Sequence, residues 1–288
     1  MVRVISPSYT YKKLSEEQER IAKERYEKLG LKISFGRHVG EEDNLESSSV
    51  NSRLEDLHEA FLDKNAKMII ASSGGYNSNF LLEKIDWEII KNNPKIFIGM
   101  SDITVLSNAI YKMTGLVTYS GPNFRNFGQK KFFDYTLDYF VKAVMLDQII
   151  EIKPSIKWSD DLWQKDQDKR NLIKSDGWWI LNFGKAEGTS LGGNLCSFNL
   201  LQGTKYMPSI KDSILMIEDD DISTVGEFSR NFQSSAHLSD FKKVRGIVFG
   251  RFQKKTEMKR ELLEKIVDDA IGELKIPIIA NVDFGHTD

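Results

Sequence analysis

The chain has 288 residues, of which 40% are hydrophobic and 28% charged, and its net charge is −2. That length suits one large α/β domain or two medium ones, and the near-neutral balance supplies no electrostatic footprint for nucleic acid or an anionic membrane. A single cysteine, Cys196, excludes a disulfide framework within the chain and points to a reducing, cytoplasmic setting.

No window reaches the roughly 18 apolar residues of a membrane helix. The start "MVRVISPSYT" has no signal-peptide core, and no Cys/His cluster suggests zinc. From the N-terminus, "VRVISP" reads as a short strand closed by Ser-Pro, and "SEEQERIAKERYEKLG" as a solvated helix with a glycine stop. "LKISFG" is a second strand. "SRLEDLHEAFLDKN" is a helix with Leu54, Leu57 and Phe61 on one face. The strand "AKMIIASSGG" runs into a glycine pair, and "NFLLEKIDWEIIKNNP" predicts a further helix. The strand "KIFIGMS", the helix "DITVLSNAIYKMTG" and the strand "LVTYSGP" follow. Strands alternating with helices imply βαβ units and a parallel sheet covered on both faces. In such sheets the loops at the carboxyl ends of the strands form the ligand crevice, here "SPSY", "SSGGYNSN" and "GMSD".

The pattern changes after about residue 145. We expect an N-terminal α/β domain over 1–150, a polar, aromatic-rich linker or functional loop over 151–180, and a smaller, β-rich α/β domain over 181–288. The last contains the strands "SILMIEDD", "VRGIVFGRF" and "PIIANVDF" and the helix "TEMKRELLEKIVDDAIGEL".

The corner "GMSDITV" places Ser101 between a strand and a helix. A nucleophile elbow would expose its Oγ and leave the Asp102 N–H free for an oxyanion. The second glycine of G-x-S-x-G is replaced by Ile103, and Ser101 as a plain helix cap remains open. Of the four histidines, His58 and His237 lie in polar stretches and His38 at a turn, whereas His286 follows a strand end. Glu218 ends the apolar run "SILMIE", where a carboxylate can orient a histidine; a solvated acidic turn is the alternative. Gly74 and Gly75 permit close backbone approach and a second oxyanion donor. Their spacing matches neither a dinucleotide fingerprint nor a Walker loop. Asn77 and Ser78 beside them, and Trp163 in the polar loop, are candidate substrate contacts. Trp178 and Trp179 read either as core residues of "GWWIL" or as stacking platforms.

The stretch "SSGGYNSNFLLEKIDWEIIKNNPKIFIGMSDITVLSNAIYKMTGLVTYSGPNF" resembles the core of the LD-carboxypeptidase family of serine peptidases, in its branch of microcin C self-immunity proteins. "VISPS", "WSDDLWQKDQDKRN", "GWWILNFGKAEGTSLGGNLCSFNLLQGT", "ILMIEDDD" and "ANVDFGHTD" extend the match in order. The resemblance implies a Ser-Glu-His triad of Ser101, Glu218 and His286. It also implies an oxyanion hole from the amides of Asp102 and Gly74 or Gly75, an interdomain active site, a homodimer, and neither metal nor cofactor. Met100 departs from the aromatic residue expected before the serine. The family also continues beyond the point corresponding to Asp288, which implies a shortened C-terminal domain. The implied reaction is amide hydrolysis through an acyl-enzyme. The implied substrate is a peptidyl- or aminoacyl-nucleotide compound, with murein tetrapeptide as the enzymatic alternative. A catalytically silent ligand-binding relative is the alternative of another class.

Overall fold

The computed structural model describes residues 1–272 and 274–288. The chain divides into two compact units: Met1–Ile150 with Leu162–Arg170, and Glu151–Asp161 with Asn171–Asp288. The stretch expected to be a linker is thus shared out, its Trp163 segment belonging to the first unit.

The first unit contains, in order, β1 (Val2–Ile5), α1 (Glu16–Lys28), β2 (Ile33–Phe35), α2 (Val50–Leu62), β3 (Met68–Ala71), α3 (Trp87–Asn92), β4 (Ile96–Gly99), α4 (Thr104–Thr114), β5 (Tyr119–Ser120) and α5 (Asp134–Val144). Its five strands are all parallel, in the order β2-β1-β3-β4-β5. β3 is buried throughout, as expected of a parallel strand covered on both faces. Ser15 opens α1 with a capping box to Gln18. On the buried face of α1, Tyr26 packs against Phe124, Phe127 and Phe140, with ring centroids 4.5–6.3 Å apart. Burying each such ring stabilises the fold by about 1.5–3 kcal/mol.

The helix predicted over "NFLLEKIDWEIIKNNP" is interrupted. A 3-10 segment, Ser78–Lys84, ends at extended Ile85, and Asp86 then caps α3 by accepting from the Glu88 and Ile89 amides. The side-chain period hid this break because Asp86 caps a new helix instead of continuing the old one.

The second unit begins with the antiparallel pair β6 (Lys157–Trp158) and β7 (Ile173–Lys174). Then come β8 (Trp179–Asn182), β9 (Thr189–Asn194), α6 (Leu195–Asn199), β10 (Ser213–Glu218), α7 (Val225–Ala236), β11 (Gly246–Gly250), α8 (Arg260–Ile271) and β12 (Ile278–Val282). The sheet order is β8-β12-β11-β10-β9, with only β8 antiparallel to its neighbour. Phe228 and Phe232 of α7 pack edge-on against Phe249 of β11. The sheet positions alternate accordingly: Leu215, Ile217, Ile247, Phe249 and Ile278 are buried, while Ile214, Met216, Val248 and Ile279 are only partly so. This is the expected α/β chain with a parallel sheet followed by a second, β-rich α/β region. Among the described residues, no helix is long and apolar enough to cross a membrane.

Candidate active site

In the first unit the strand order reverses on either side of β1, so the loops after β1 and β3 lie at the switch point where open α/β sheets bind ligands. They are tied together by Tyr9 N–H donating to Gly74 O at 3.1 Å. Ser101 follows β4 at the same carboxyl edge. Its φ is +63°, a left-handed conformation that costs a non-glycine residue roughly 1–2 kcal/mol. The helix-cap alternative fails, because α4 begins only at Thr104 and Ser101 makes no capping hydrogen bond. Among the described residues its hydroxyl has no partner. A half-buried serine with an unpartnered hydroxyl on a strained strand-to-helix corner is consistent with an elbow.

The surroundings are built to hold that corner. A Cβ on Gly74 would fall 2.8 Å from Ser101 Cβ and 3.6 Å from the Asp102 amide nitrogen, so only glycine lets the loop lie against the serine. Gly75, at φ +147°, leaves room for the Ser8 hydroxyl and the Tyr9 ring. Neither glycine N–H donates to a group among the described residues, which leaves them available to an oxyanion. Asp102 is buried, and its carboxylate accepts from Ser8 Oγ at 2.6 Å and from the Ser78 amide at 2.8 Å. Met100 N–H donates to Asn123 Oδ1 at 3.1 Å.

Three residues expected to touch substrate are buried and engaged within the protein. Ser78 is fully buried, its hydroxyl donating to Asp102 O at 2.7 Å. Asn77 is buried with its side chain on Leu45 O, and its own carbonyl accepts from Arg53. Both brace the loop, because buried polar groups must be satisfied internally. Trp163 is only 4% exposed and lies under the Arg125 guanidinium, 5.7 Å away. Trp178 and Trp179 are half-buried and hydrogen-bond to Asp283 and Asp176, so neither is a plain core residue.

In the second unit Glu218 ends β10 and is 3% exposed. Its Oε2 lies 2.6 Å from His286 Nδ1. Gly285, at φ +105°, makes the approach possible: a Cβ there would meet Glu218 Oε2 at 2.8 Å. Burial alone would lower the imidazole pKa, but the Glu218 charge and hydrogen bond override it. With smaller help from Asp220 and Asp219 they raise it from 6.5 to about 9. Asp219, buried beside Glu218, is itself raised to about 7, chiefly by desolvation. A fixed carboxylate on Nδ1 holds the ring so that Nε2 is free to exchange protons.

The other histidines are committed elsewhere. His38 pairs with Glu41 and Glu55, and His58 Nε2 accepts from the Asp86 amide. His237 caps α7 beside Gln233.

Residues 2–121 match the LD-carboxypeptidase N-terminal domain, and residues 187–288 match the LD-carboxypeptidase C-terminal domain. The chain belongs to the LD-carboxypeptidase family. By that membership it is a serine-type carboxypeptidase. It is 46% identical over 286 residues to the Bacillus subtilis (strain 168) protein named "Putative carboxypeptidase YocD", covering 99% of this chain and 88% of that one. It is 30% identical over 271 residues to the microcin C7 self-immunity protein MccF of Escherichia coli, covering 91% and 78%. A structure of MccF in complex with glutamyl sulfamoyl guanosine superposes with a TM-score of 0.90 at 28% identity, covering 99% of this chain and 88% of that one. The crystal structure of an MccF-like protein from Bacillus anthracis str. Ames superposes with a TM-score of 0.98 at 46% identity, covering 100% and 88%.

Proposed function

We propose that this family member hydrolyses an amide bond with Ser101 as nucleophile, His286 as general base and acid, and Glu218 as the carboxylate that orients the histidine. The observation that carries the reading is the left-handed φ of Ser101, at a corner whose hydroxyl serves no structural purpose. Ser101 Oγ attacks the scissile carbonyl carbon as its proton passes to His286 Nε2. The amides of Asp102 and of Gly74 or Gly75 receive the oxyanion. His286 then protonates the leaving amine, and a water activated by the same histidine cleaves the acyl-enzyme.

For the substrate we favour a peptidyl- or aminoacyl-nucleotide compound, which the likeness to MccF and its sulfamoyl-nucleoside complex supports. A murein peptide with a free terminal carboxylate is the second reading, favoured by a largely desolvated Arg125 guanidinium that has no carboxylate partner among the described residues. We place the enzyme in the cytoplasm, on the strength of its single cysteine. We also read it as a homodimer. The row Met216–Val248–Ile279–Ile180, across four strands on the sheet face opposite α7, presents apolar side chains that a second copy would cover. Light scattering should give twice the mass of the 33.0 kDa chain.

The deciding experiment incubates the enzyme and its Ser101→Ala variant with an aminoacyl-sulfamoyl adenylate and with murein tetrapeptide. Release of the amino acid from one substrate, lost in the variant, identifies the activity. Full turnover by Ser101→Ala would end the serine mechanism.

A further inference from the structure

Four arginines among the described residues carry guanidinium groups largely withdrawn from water, and three of them are held by carbonyls or a carboxylate. Arg170 donates to Gln129 Oε1 and Lys131 O. Arg53 donates to the carbonyls of Ser48, Pro7 and Asn77. Arg251 pairs with Asp283 and donates to Asn281 Oδ1. Arg125 differs. Its Nη1 donates to one neutral group, Ser73 Oγ at 3.2 Å; its Nε, like that of Arg251, is buried with no partner, but Arg125 has no counterpart to Asp283. Desolvation pulls its pKa below the usual arginine range, and among the described residues no carboxylate offsets that. The Trp163 ring beneath it supplies a cation–π contact only. A desolvated cation without an anion is costly to keep, and the five-donor planar fork of arginine suits a carboxylate better than any other group.

Its position gives that cost a purpose. Arg125 lies just after β5, which pairs with β4 through Ile98–Tyr119 and Gly99–Ser120. Gly121 N–H donates to Gly99 O, and Met100 N–H to Asn123 Oδ1, so the segment carrying Arg125 is bonded to the backbone that leads into Ser101. The Arg125 amide itself donates to Ser72 O at 3.1 Å. Ser73, which holds the guanidinium, immediately precedes Gly74, the residue in contact with Ser101. One residue, about 3.8 Å of chain, therefore separates the guanidinium's anchor from the oxyanion loop. In a peptide whose last amide is cut, one residue likewise separates the scissile carbonyl from the terminal carboxylate.

We propose that Arg125, braced by Ser73 and seated on Trp163, is the specificity-determining residue that receives the free terminal carboxylate of a peptide substrate beside Ser101. The inference rests on the serine-peptidase reading above and concerns its second substrate class, peptides ending in a free acid.

The test compares N-acetyl-L-lysyl-D-alanine with its C-terminal amide, using the whole chain. In turnover, Arg125→Met should lower kcat/KM for the acid by roughly 10- to 150-fold, the worth of a charged hydrogen bond, and leave the amide nearly unchanged. Arg125→Lys, which keeps the charge and a long stem, should recover part of the loss and guards against a folding defect. Calorimetry on the Ser101→Ala background measures binding without chemistry, so a failure of the serine mechanism is seen separately from a failure of the carboxylate site. A preference for acid over amide that vanishes with Arg125→Met supports the proposal. Equal binding of acid and amide, or an unchanged preference in Arg125→Met, overturns it.

Discussion

Glu218 Oε2 and His286 Nδ1 stand 2.6 Å apart although 68 residues of sequence separate them. The buried carboxylate raises the imidazole pKa to about 9 against the opposing effect of burial. A general base must be neutral to accept a proton. We therefore expect kcat/KM to climb with pH through neutrality and level off near pH 9. Glu218→Gln should move that limb toward pH 6.5 and lower kcat by on the order of 10³- to 10⁴-fold. A pH–rate profile of the two proteins checks both effects.

The same groups tilt stability in one direction. His286 binds its proton more tightly folded than unfolded, so its contribution is complete below about pH 6.5 and lost as pH rises through 9. Asp219 has a folded pKa of about 7 against 3.8 for an ordinary aspartate, so its ionisation costs stability between those values. Urea unfolding should show stability falling from pH 4 to pH 9, with a shallower decline between about pH 4 and pH 7 in Asp219→Asn.

Backbone strain at Ser101 separates activity from stability. Ser101→Ala keeps the +63° φ and should unfold within about 0.5 kcal/mol of the parent while losing turnover. Ser101→Gly removes the Cβ penalty of the left-handed region against glycine's larger unfolded-state entropy. It should be more stable than Ser101→Ala by up to about 1 kcal/mol, yet equally inactive. Thermal melts of the three proteins make the comparison.

Gly285 tests whether local crowding reaches the histidine. Gly285→Ala forces a Cβ to within 2.8 Å of Glu218 Oε2 at a φ of +105° and should cost about 1–3 kcal/mol together with a fall in kcat. Gly30, at φ +71°, has open space around a new Cβ. Gly30→Ala should lower Tm without changing kcat.

The Arg251–Asp283 pair is almost wholly withdrawn from water and also engages Asn281, Trp178 and Ser155. Removing one partner strands a buried charge, so Arg251→Met should destabilise by about 3–5 kcal/mol. The Arg251→Met/Asp283→Leu double variant should fall well short of the sum of the singles, with coupling of about 1–3 kcal/mol in a double-mutant cycle.

Periodicity predicted the strands β1, β3, β4 and β10 and the helices α1, α2 and α4, since each buries one repeating face and each is bounded by its own caps or glycines. It missed the break at Asp86, and it could not show that the Asn77 and Ser78 side chains are hydrogen-bonded within their own loop region. Hydrogen bonds to Asp102, Ser8 and Leu45 come from segments up to 69 residues away, and no local pattern encodes them.

The sequence alone determined the α/β architecture, the family and the strand ends on which Ser101, Glu218 and His286 stand, because these depend on residue type and short-range spacing. Tertiary structure decided what those groups experience. It set the left-handed turn at Ser101, the glycine packed against it, the charge that holds the His286 proton, and the burial of Arg125 without a carboxylate partner among the described residues. Such properties arise from burial and from contacts between distant segments, which a linear pattern carries only as individual residues.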